Sequence, residues 1–242
     1  MELDALAIGA HPDDVELGCG GTVALLAQQG HRVGILHLTR GERGTRGTVL
    51  ERQREAEAAA AALGAVVLEF LDCGDGSLRT GESEEDAVIA VLRRYRPSLL
   101  LGPTPKDRHP DHGRAHQLVE AAAFYSGLRR RGEGSAHRPA AVFSYMQHDS
   151  FEPSFVVDVT SVWDRKLASL AAYTSQLHQA DGGATNVDEP ITKVATPEFS
   201  RAMEGRARHF GNLVGAAFGE PFWSRLPLAV RDPLAVLPGG VL

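Results

Sequence analysis

The sequence has little cysteine and no long apolar run. It contains two cysteines, Cys19 and Cys73, and neither lies in a C-x-x-C motif. This usage is typical of proteins from a reducing compartment. No stretch approaches the roughly 20 apolar residues of a membrane-spanning helix. The first residues, MELDALAIGAHPDD, lack the basic and apolar regions of a signal peptide. We therefore expect a cytoplasmic protein without a membrane partner.

The sequence also contains fewer positively than negatively charged side chains, 25 against 31. The formal net charge is −6, which disfavours binding to nucleic acids or anionic membranes. Hydrophobic residues make up 43% and charged residues 23%, as in ordinary globular proteins. The length of 242 residues fits one α/β domain, a class that often runs to about 200–250 residues. We predict a single domain over residues 1–242.

Short apolar runs alternate with helical patterns through the first half of the chain. Two of the helices begin with capping-box patterns, Thr48 with Glu51 and Ser83 with Asp86. The alternation βαβαβαβ predicts a Rossmann-like, doubly wound and mainly parallel sheet with helices on both faces. The predicted strands are Leu3–Ile8, Val33–Leu38, Val66–Phe70 and Leu99–Gly102.

The second half of the chain has a less regular pattern. It contains strand candidates at Ala141–Tyr145 and Phe155–Val159, and a helix candidate at Val162–Tyr173. Residues 175–195 have the composition of a long loop, and Thr196 with Pro197 predicts the start of a last helix. We predict a core over about residues 1–145 and a C-terminal portion, about 146–242, that completes the pocket.

Two related His-Asp runs follow predicted strands. The first is His11-Pro12-Asp13-Asp14 after the first strand, and the second is His109-Pro110-Asp111-His112 after the fourth. The carboxyl ends of parallel strands meet at one edge of the sheet. We therefore expect the two runs to share one site, although about 100 residues separate them.

The side chains of the two runs suit metal-assisted hydrolysis. A catalytic zinc ion usually takes three protein ligands, and two histidines with one carboxylate are a known set. A free carboxylate beside the metal can accept a proton from water, and an imidazole can stabilise an oxyanion or protonate the leaving amine. The spacing alone leaves open which of His109 and His112 is a ligand.

These runs resemble the LmbE-like (PIG-L) family of zinc-dependent N-acetylglucosaminyl deacetylases, over nearly the whole chain. The closest resemblance is to the bacillithiol-biosynthesis branch, which removes acetate from N-acetylglucosaminyl-malate. Segments that resemble this branch are Gly44–Thr48, Asp107-Arg108, His137–Pro139, Tyr145-Met146, Phe155–Val159, Tyr173–Gln176 and Gly219–Phe222. The resemblance implies an amino-sugar substrate and a homo-oligomer, either a trimer or a hexamer.

The resemblance also implies a ligand set and roles for the other side chains. It assigns His11, Asp14 and His112 to one zinc ion per subunit, although such ligands also accept other divalent metals. The rejected alternative takes His109 as the ligand and His112 as the acid.

For the proton chemistry, the resemblance implies that Asp13 is the general base and that His109 stabilises the tetrahedral intermediate. Asp111 is then the orienting partner of His109. Arg52 and Arg108 are candidates for pairing with a substrate carboxylate such as malate. Each of these arginines could equally be an ordinary solvated side chain.

Several other residues are weaker candidates. Arg46 lies in a loop expected at the same rim, and His148 could line it. Phe199 aligns with a tyrosine that reaches the oxyanion in some family members. Cys19 could be a fourth ligand, but a small buried residue at a helix start is the simpler interpretation. The glycines near Cys19 do not complete a dinucleotide-binding motif, and no serine has the context of a serine hydrolase.

Three functions remain open from the sequence. The first is a zinc-dependent deacetylase of N-acetylglucosaminyl-malate. The second is a deacetylase of another N-acetylglucosamine conjugate or of a small amide. The third is a non-catalytic module that binds a metal or a sugar.

Overall fold

A seven-stranded sheet forms the centre of the computed structural model, which describes residues 1–178, 189–230 and 232. The strand order is β3-β2-β1-β4-β5-β7-β6. The first five strands run parallel, and β7 is antiparallel to both of its neighbours. The strands are β1 Ala5–Gly9, β2 Val33–His37, β3 Val67–Phe70, β4 Leu99–Gly102, β5 Ala141–Tyr145, β6 Phe155–Asp158 and β7 Gly219–Trp223.

Helices cover both faces of this sheet, as the alternating pattern predicted. They are α1 Asp14–Gln28, α2 Val49–Leu63, α3 Glu82–Tyr95, α4 Pro110–Tyr125, α5 Trp163–Ala171 and α6 Pro197–Leu213. Successive strand residues point to opposite faces. In β1, Ala5 and Ala7 therefore pack in one core with α1, α2, α5 and α6, whereas Leu6 and Ile8 pack in the other with α3 and α4. The predicted doubly wound α/β class is confirmed.

Three local features differ from the sequence predictions. The sequence pattern predicts the first helix over Gly20–Gln29, but α1 begins at Asp14, and helix α3 has Gly81 as its N-cap residue instead of Ser83. Strand β7 was not predicted, because Pro221 interrupts an otherwise short apolar run. Pro221 is tolerated because β5 pairs only with Phe222 and Trp223 of this strand.

Residues 179–188 of the predicted 175–195 loop lie outside the described residues. Among those that are described, no helix is both long and apolar enough to cross a membrane.

Helix α1 is broken at Cys19, whose φ of −144° is not helical. The break frees backbone groups, and a buried ion pair satisfies them. Glu220 accepts hydrogen bonds from the amides of Gly21 and Thr22, while Lys166 pairs with Glu220 and donates to the carbonyl of Leu17. Cys19 itself is buried in the apolar core, and this burial raises the pKa of its thiol.

We expect the substitution Glu220→Gln to lower the free energy of unfolding by about 3 kcal/mol, because it leaves the Lys166 ammonium buried without its counter-charge. Urea unfolding measures this difference. Glu204→Gln is the matched control, since Glu204 pairs with Arg208 on the exposed face of α6; such surface pairs contribute about 0–1 kcal/mol. Equal losses for the two variants would show that the buried pair adds nothing beyond a surface pair.

Candidate active site

The two His-Asp runs meet at the carboxyl ends of β1 and β4, which are neighbours in the sheet. The chain proceeds from β1 toward β3 on one side and from β4 toward β5 on the other. Such a reversal of strand order opens a crevice at the carboxyl edge of a doubly wound sheet. His11 follows β1, and His109 follows β4, so both runs lie at this crevice.

Asp13 occupies the N-cap position of α1 with a φ of 103°. This positive φ is unusual for a residue with a side chain and costs of the order of 1–3 kcal/mol. The carboxylate forms no capping hydrogen bond. The turn therefore holds Asp13 in a strained conformation without using its side chain to stabilise the helix.

The second run begins α4 in a different way. His109 is the N-cap residue, and its Nδ1 accepts a hydrogen bond from the amide of Asp111 at 3.2 Å. Pro110 occupies the first helical position, where a missing amide hydrogen costs nothing. His112 is thereby placed in the first turn of α4, facing the first turn of α1.

Asp14 joins the two runs at the centre of the site. Its Oδ2 lies 3.4 Å from Nδ1 of His11, and its Oδ1 lies 3.2 Å from Nε2 of His112. All three residues are buried. The structure thus brings together the three residues that the sequence resemblance assigned to the metal.

Two further carboxylates lie against His11. Its Nε2 is 3.2 Å from Oδ1 of Asp75 and 3.4 Å from Oδ2 of Asp111. The Asp111 carboxylate also accepts hydrogen bonds from the amide of Leu78 and from Arg114. Its backbone amide, and not its carboxylate, makes the contact with His109 described above. An orienting role of the Asp111 carboxylate toward His109 therefore stays a prediction.

Asp75 is a site residue that sequence reasoning missed. It follows β3 in the segment Asp72-Cys73-Gly74-Asp75-Gly76. Because β3 is parallel to β1 and β4, the rule that gathered the two His-Asp runs at one edge also applies to this acidic segment. The signal was present, but Asp75 lacks a neighbouring histidine that would have marked it.

Asp107 and Gln147 hold His112 and Asp14 in position. Oδ1 of Asp107 lies 3.1 Å from Nδ1 of His112, opposite the nitrogen that faces Asp14. Oδ2 of Asp107 accepts a hydrogen bond from the amide of His148. Gln147 donates from Nε2 to Oδ1 of Asp14 at 2.6 Å. These contacts fix the ring orientation of His112 and the position of the Asp14 carboxylate.

The donor set fits a divalent cation. Two three-residue combinations bring nitrogen or carboxylate ligand atoms within 4.8 Å of one another: His11, His109 and His112, and His11, Asp75 and Asp111. Burial lowers the pKa of His112, but the charge of Asp14 and hydrogen bonds to Asp107 and Asp14 raise it to about 9. The pKa of His11 is likewise raised by its carboxylate neighbours against the effect of burial. The electrostatic field of these carboxylates attracts positive charge, which a metal ion would supply.

Comparison with known proteins identifies the family of this chain. Residues 6–123 match the model of the family described as PIG-L: GlcNAc-PI de-N-acetylase. A 4-oxalmesaconate hydratase from Pseudomonas putida is 33% identical, with 72% of this chain and 74% of that protein covered. A diacetylchitobiose deacetylase from Thermococcus kodakarensis is also 33% identical, with 71% and 69% covered. The conserved protein TT1542 from Thermus thermophilus, a solved structure, is 37% identical, with 96% and 98% covered and a TM-score of 0.85.

This chain belongs to the PIG-L family. Its relatives include a deacetylase and a hydratase, so it is an enzyme of a family that uses water as a reactant, and the site at the carboxyl ends of β1 and β4 is its candidate active site. The family prediction is confirmed at this level. The relatives named above carry different activities, so the bacillithiol branch stays a prediction.

The predicted arginines have different positions in this PIG-L protein. Arg52 is buried, and its guanidinium donates to the carbonyls of Pro12 and Gly41 and lies 3.6 Å from Asp13. These contacts hold the strained turn that carries Asp13. Arg108 is exposed and lines the cavity above the site, whose volume is about 370 Å³. Substrate binding by either arginine stays a prediction.

The C-terminal portion contributes to the same cavity through His148, Gln176 and Lys193. The ring of His148 stacks on that of His112, with centroids 5.8 Å apart. Arg46 is buried below the rim and donates to the carbonyl of Ser175, so it anchors a loop. Phe199, expected where some family members have a tyrosine, packs near His148 in the wall of a neighbouring cavity.

Proposed function

We propose that this chain is a zinc-dependent hydrolase that removes the N-acetyl group from a conjugate of N-acetylglucosamine. The arrangement of Asp13 supports this most strongly: a carboxylate held in a strained turn, unused by the helix, beside the His11-Asp14-His112 cluster. In this proposal His11, Asp14 and His112 hold the zinc ion. When bound, zinc polarises a carbonyl group and lowers the pKa of water to about 7.

Asp13 is the general base in the proposed reaction. Its carboxylate takes a proton from the attacking water as the water oxygen bonds to the acetyl carbonyl carbon. The same carboxyl then returns this proton to the amide nitrogen as the C–N bond breaks, which releases acetate and the free amine. Burial raises the pKa of Asp13 to about 7 despite the lowering effect of Arg52.

His109 stabilises the developing oxyanion. Because its Nδ1 accepts the hydrogen bond from the amide of Asp111, the neutral ring carries its proton on Nε2. Burial and the charges of His11 and His112 lower the pKa of His109, which favours this neutral form. His109 thus offers an N–H donor to the carbonyl oxygen while its negative charge develops.

We further propose that the group conjugated to N-acetylglucosamine is malate. Support comes from the cations Arg43, Arg108 and Lys193, which line the cavity and suit an acidic group on the substrate. Acetate release should be measured on N-acetylglucosaminyl-malate and on unlinked N-acetylglucosamine. We expect a higher kcat/KM for the malate conjugate. Equal or better turnover of the unlinked sugar rules out malate as the recognised group while leaving deacetylation intact.

A hydratase is the second candidate, favoured by the 33% identity to 4-oxalmesaconate hydratase. Hydration of a C=C bond also needs an activated water and a general base, so Asp13 would serve either reaction. Loss of the ultraviolet absorbance of 4-oxalmesaconate measures hydration directly. Hydration without acetate release from any amino-sugar conjugate would overturn the deacetylase proposal.

Asp107 gives a prediction for the metal. We expect Asp107→Asn to weaken zinc binding about 10- to 100-fold, because the carboxylate orients His112 and makes its ligand nitrogen more basic. Competition with a chromophoric chelator measures the affinity. Asp149→Asn is the control, since Asp149 lies in the adjoining loop and is exposed. Unchanged affinity in the Asp107 variant would show that this contact does not support the metal site.

A further inference from the structure

A second cavity of about 830 Å³ adjoins the candidate active site, between α6 and the loop after β5. We refer to it as the side cavity. His148 and Lys193 line both the side cavity and the cavity above the active site. The two cavities are therefore adjacent at these two residues.

Gln147 links the side cavity to the metal cluster. It lines the cavity, and its Nε2 donates to Asp14. Its Oε1 is buried without a hydrogen-bond partner in the described part of the chain. The side cavity therefore borders the residue that positions the Asp14 carboxylate.

The side cavity combines positive charge with apolar surface. Within residues 1–178, 189–230 and 232, no ion pair is formed by Arg206 or Lys193, and Arg206 is half-buried. The acidic lining residue Glu198 pairs instead with Arg201 on the outer side of α6. The apolar part of the lining is formed by Phe151, Pro153, Phe199, Met203, Phe210 and Leu213.

We propose that the side cavity binds the group attached to the amino sugar, and that this group is an apolar body carrying an acid that pairs with Arg206. The inference rests on the proposed deacetylase function. A volume of 830 Å³ lies in the range of sites for drug-sized ligands, so the side cavity has room for an apolar group in addition to an acid such as that of malate. A guanidinium that forms no ion pair within the described residues, in a cavity lined by aromatic and aliphatic side chains, matches an aryl or alkyl carboxylate.

The phenyl and 4-carboxyphenyl glycosides of N-acetylglucosamine, each in both anomers, test this proposal. They differ only in the carboxylate. We expect kcat/KM for acetate release to be about tenfold higher for the 4-carboxyphenyl glycoside of the better anomer, as a charge-assisted hydrogen bond predicts. In Arg206→Met this ratio should fall to about one. Arg206→Lys should retain part of it, because the charge remains.

Arg208→Met is the matched control, because it removes a positive charge from the same helix at a residue outside the cavity lining. It should keep the wild-type ratio. Equal turnover of the two glycosides by the wild-type protein, or an unchanged ratio in Arg206→Met, overturns the side-cavity proposal. Absence of acetate release from all four glycosides and from every other conjugate would instead contradict the deacetylase function itself, so the two failures are distinguishable.

Discussion

Replacement of Asp13 by asparagine is expected to reduce kcat for acetate release about thousandfold, while the protein retains its zinc. Asparagine preserves the size of the side chain but cannot take a proton from water. The backbone turn should persist, because asparagine tolerates positive φ better than most residues do. Steady-state acetate release and metal analysis of the purified variant measure the two quantities.

Asp72→Asn is the control for this change. Asp72 is an exposed acid on the loop after β3 and pairs with Arg40. Its substitution should leave acetate release close to wild type. A decrease of less than tenfold in Asp13→Asn would show that another group activates the water. Loss of zinc from that variant would show that Asp13 is a ligand.

The neighbouring substitution Asp14→Asn is expected to have the opposite effect on zinc binding, because this variant should lose its zinc. Its carboxylate lies between His11 and His112, so an amide there removes the negative charge that both imidazoles face. We expect zinc affinity to fall by roughly a thousandfold or more, and acetate release to fall with it. Chelator competition gives the affinity, and activity at increasing zinc concentrations shows whether the metal restores turnover.

Asp13→Asn and Asp14→Asn make the same chemical change at adjacent positions in the chain. Each variant therefore controls for the other. Retained zinc with lost turnover in the first, and lost zinc in the second, is the pattern expected for a base beside a ligand. Identical behaviour of the two variants would contradict the division of roles within the first run.

The location of the site was predictable because it depends on topology. Strands β1 and β4 were apparent from their apolar runs, and parallel pairing alone brings His11 and His112 to one edge. The same reasoning applies to Asp75, but nothing in its local sequence distinguishes it from other loop aspartates. Its contact with His11 depends on the path of the loop after β3.

The start of α1 was harder to predict for a specific physical reason. The helix begins directly after Asp13, but Cys19 interrupts it and three glycines surround the break. Glu220, about 200 residues away in sequence, stabilises that break. Local propensity therefore indicates a helix only from Gly20, and the first turn depends on a tertiary contact.

The burial of Arg52 was also beyond sequence reasoning. An arginine in the first turn of an amphipathic helix is ordinarily solvated. Here it reaches the carbonyl of Pro12, which the βα turn exposes toward α2.

The side cavity was likewise not predictable, because it is formed by α6 and the loop after β5, two elements whose packing the sequence does not specify.

The central claim is that this PIG-L protein removes an acetyl group by metal-dependent hydrolysis. The most direct test measures acetate release from an N-acetylglucosamine conjugate before chelator treatment, after it, and after addition of one equivalent of zinc. We predict that chelation abolishes acetate release and that zinc restores it in the wild-type protein but not in Asp13→Asn. Undiminished acetate release from fully metal-depleted protein would contradict the account.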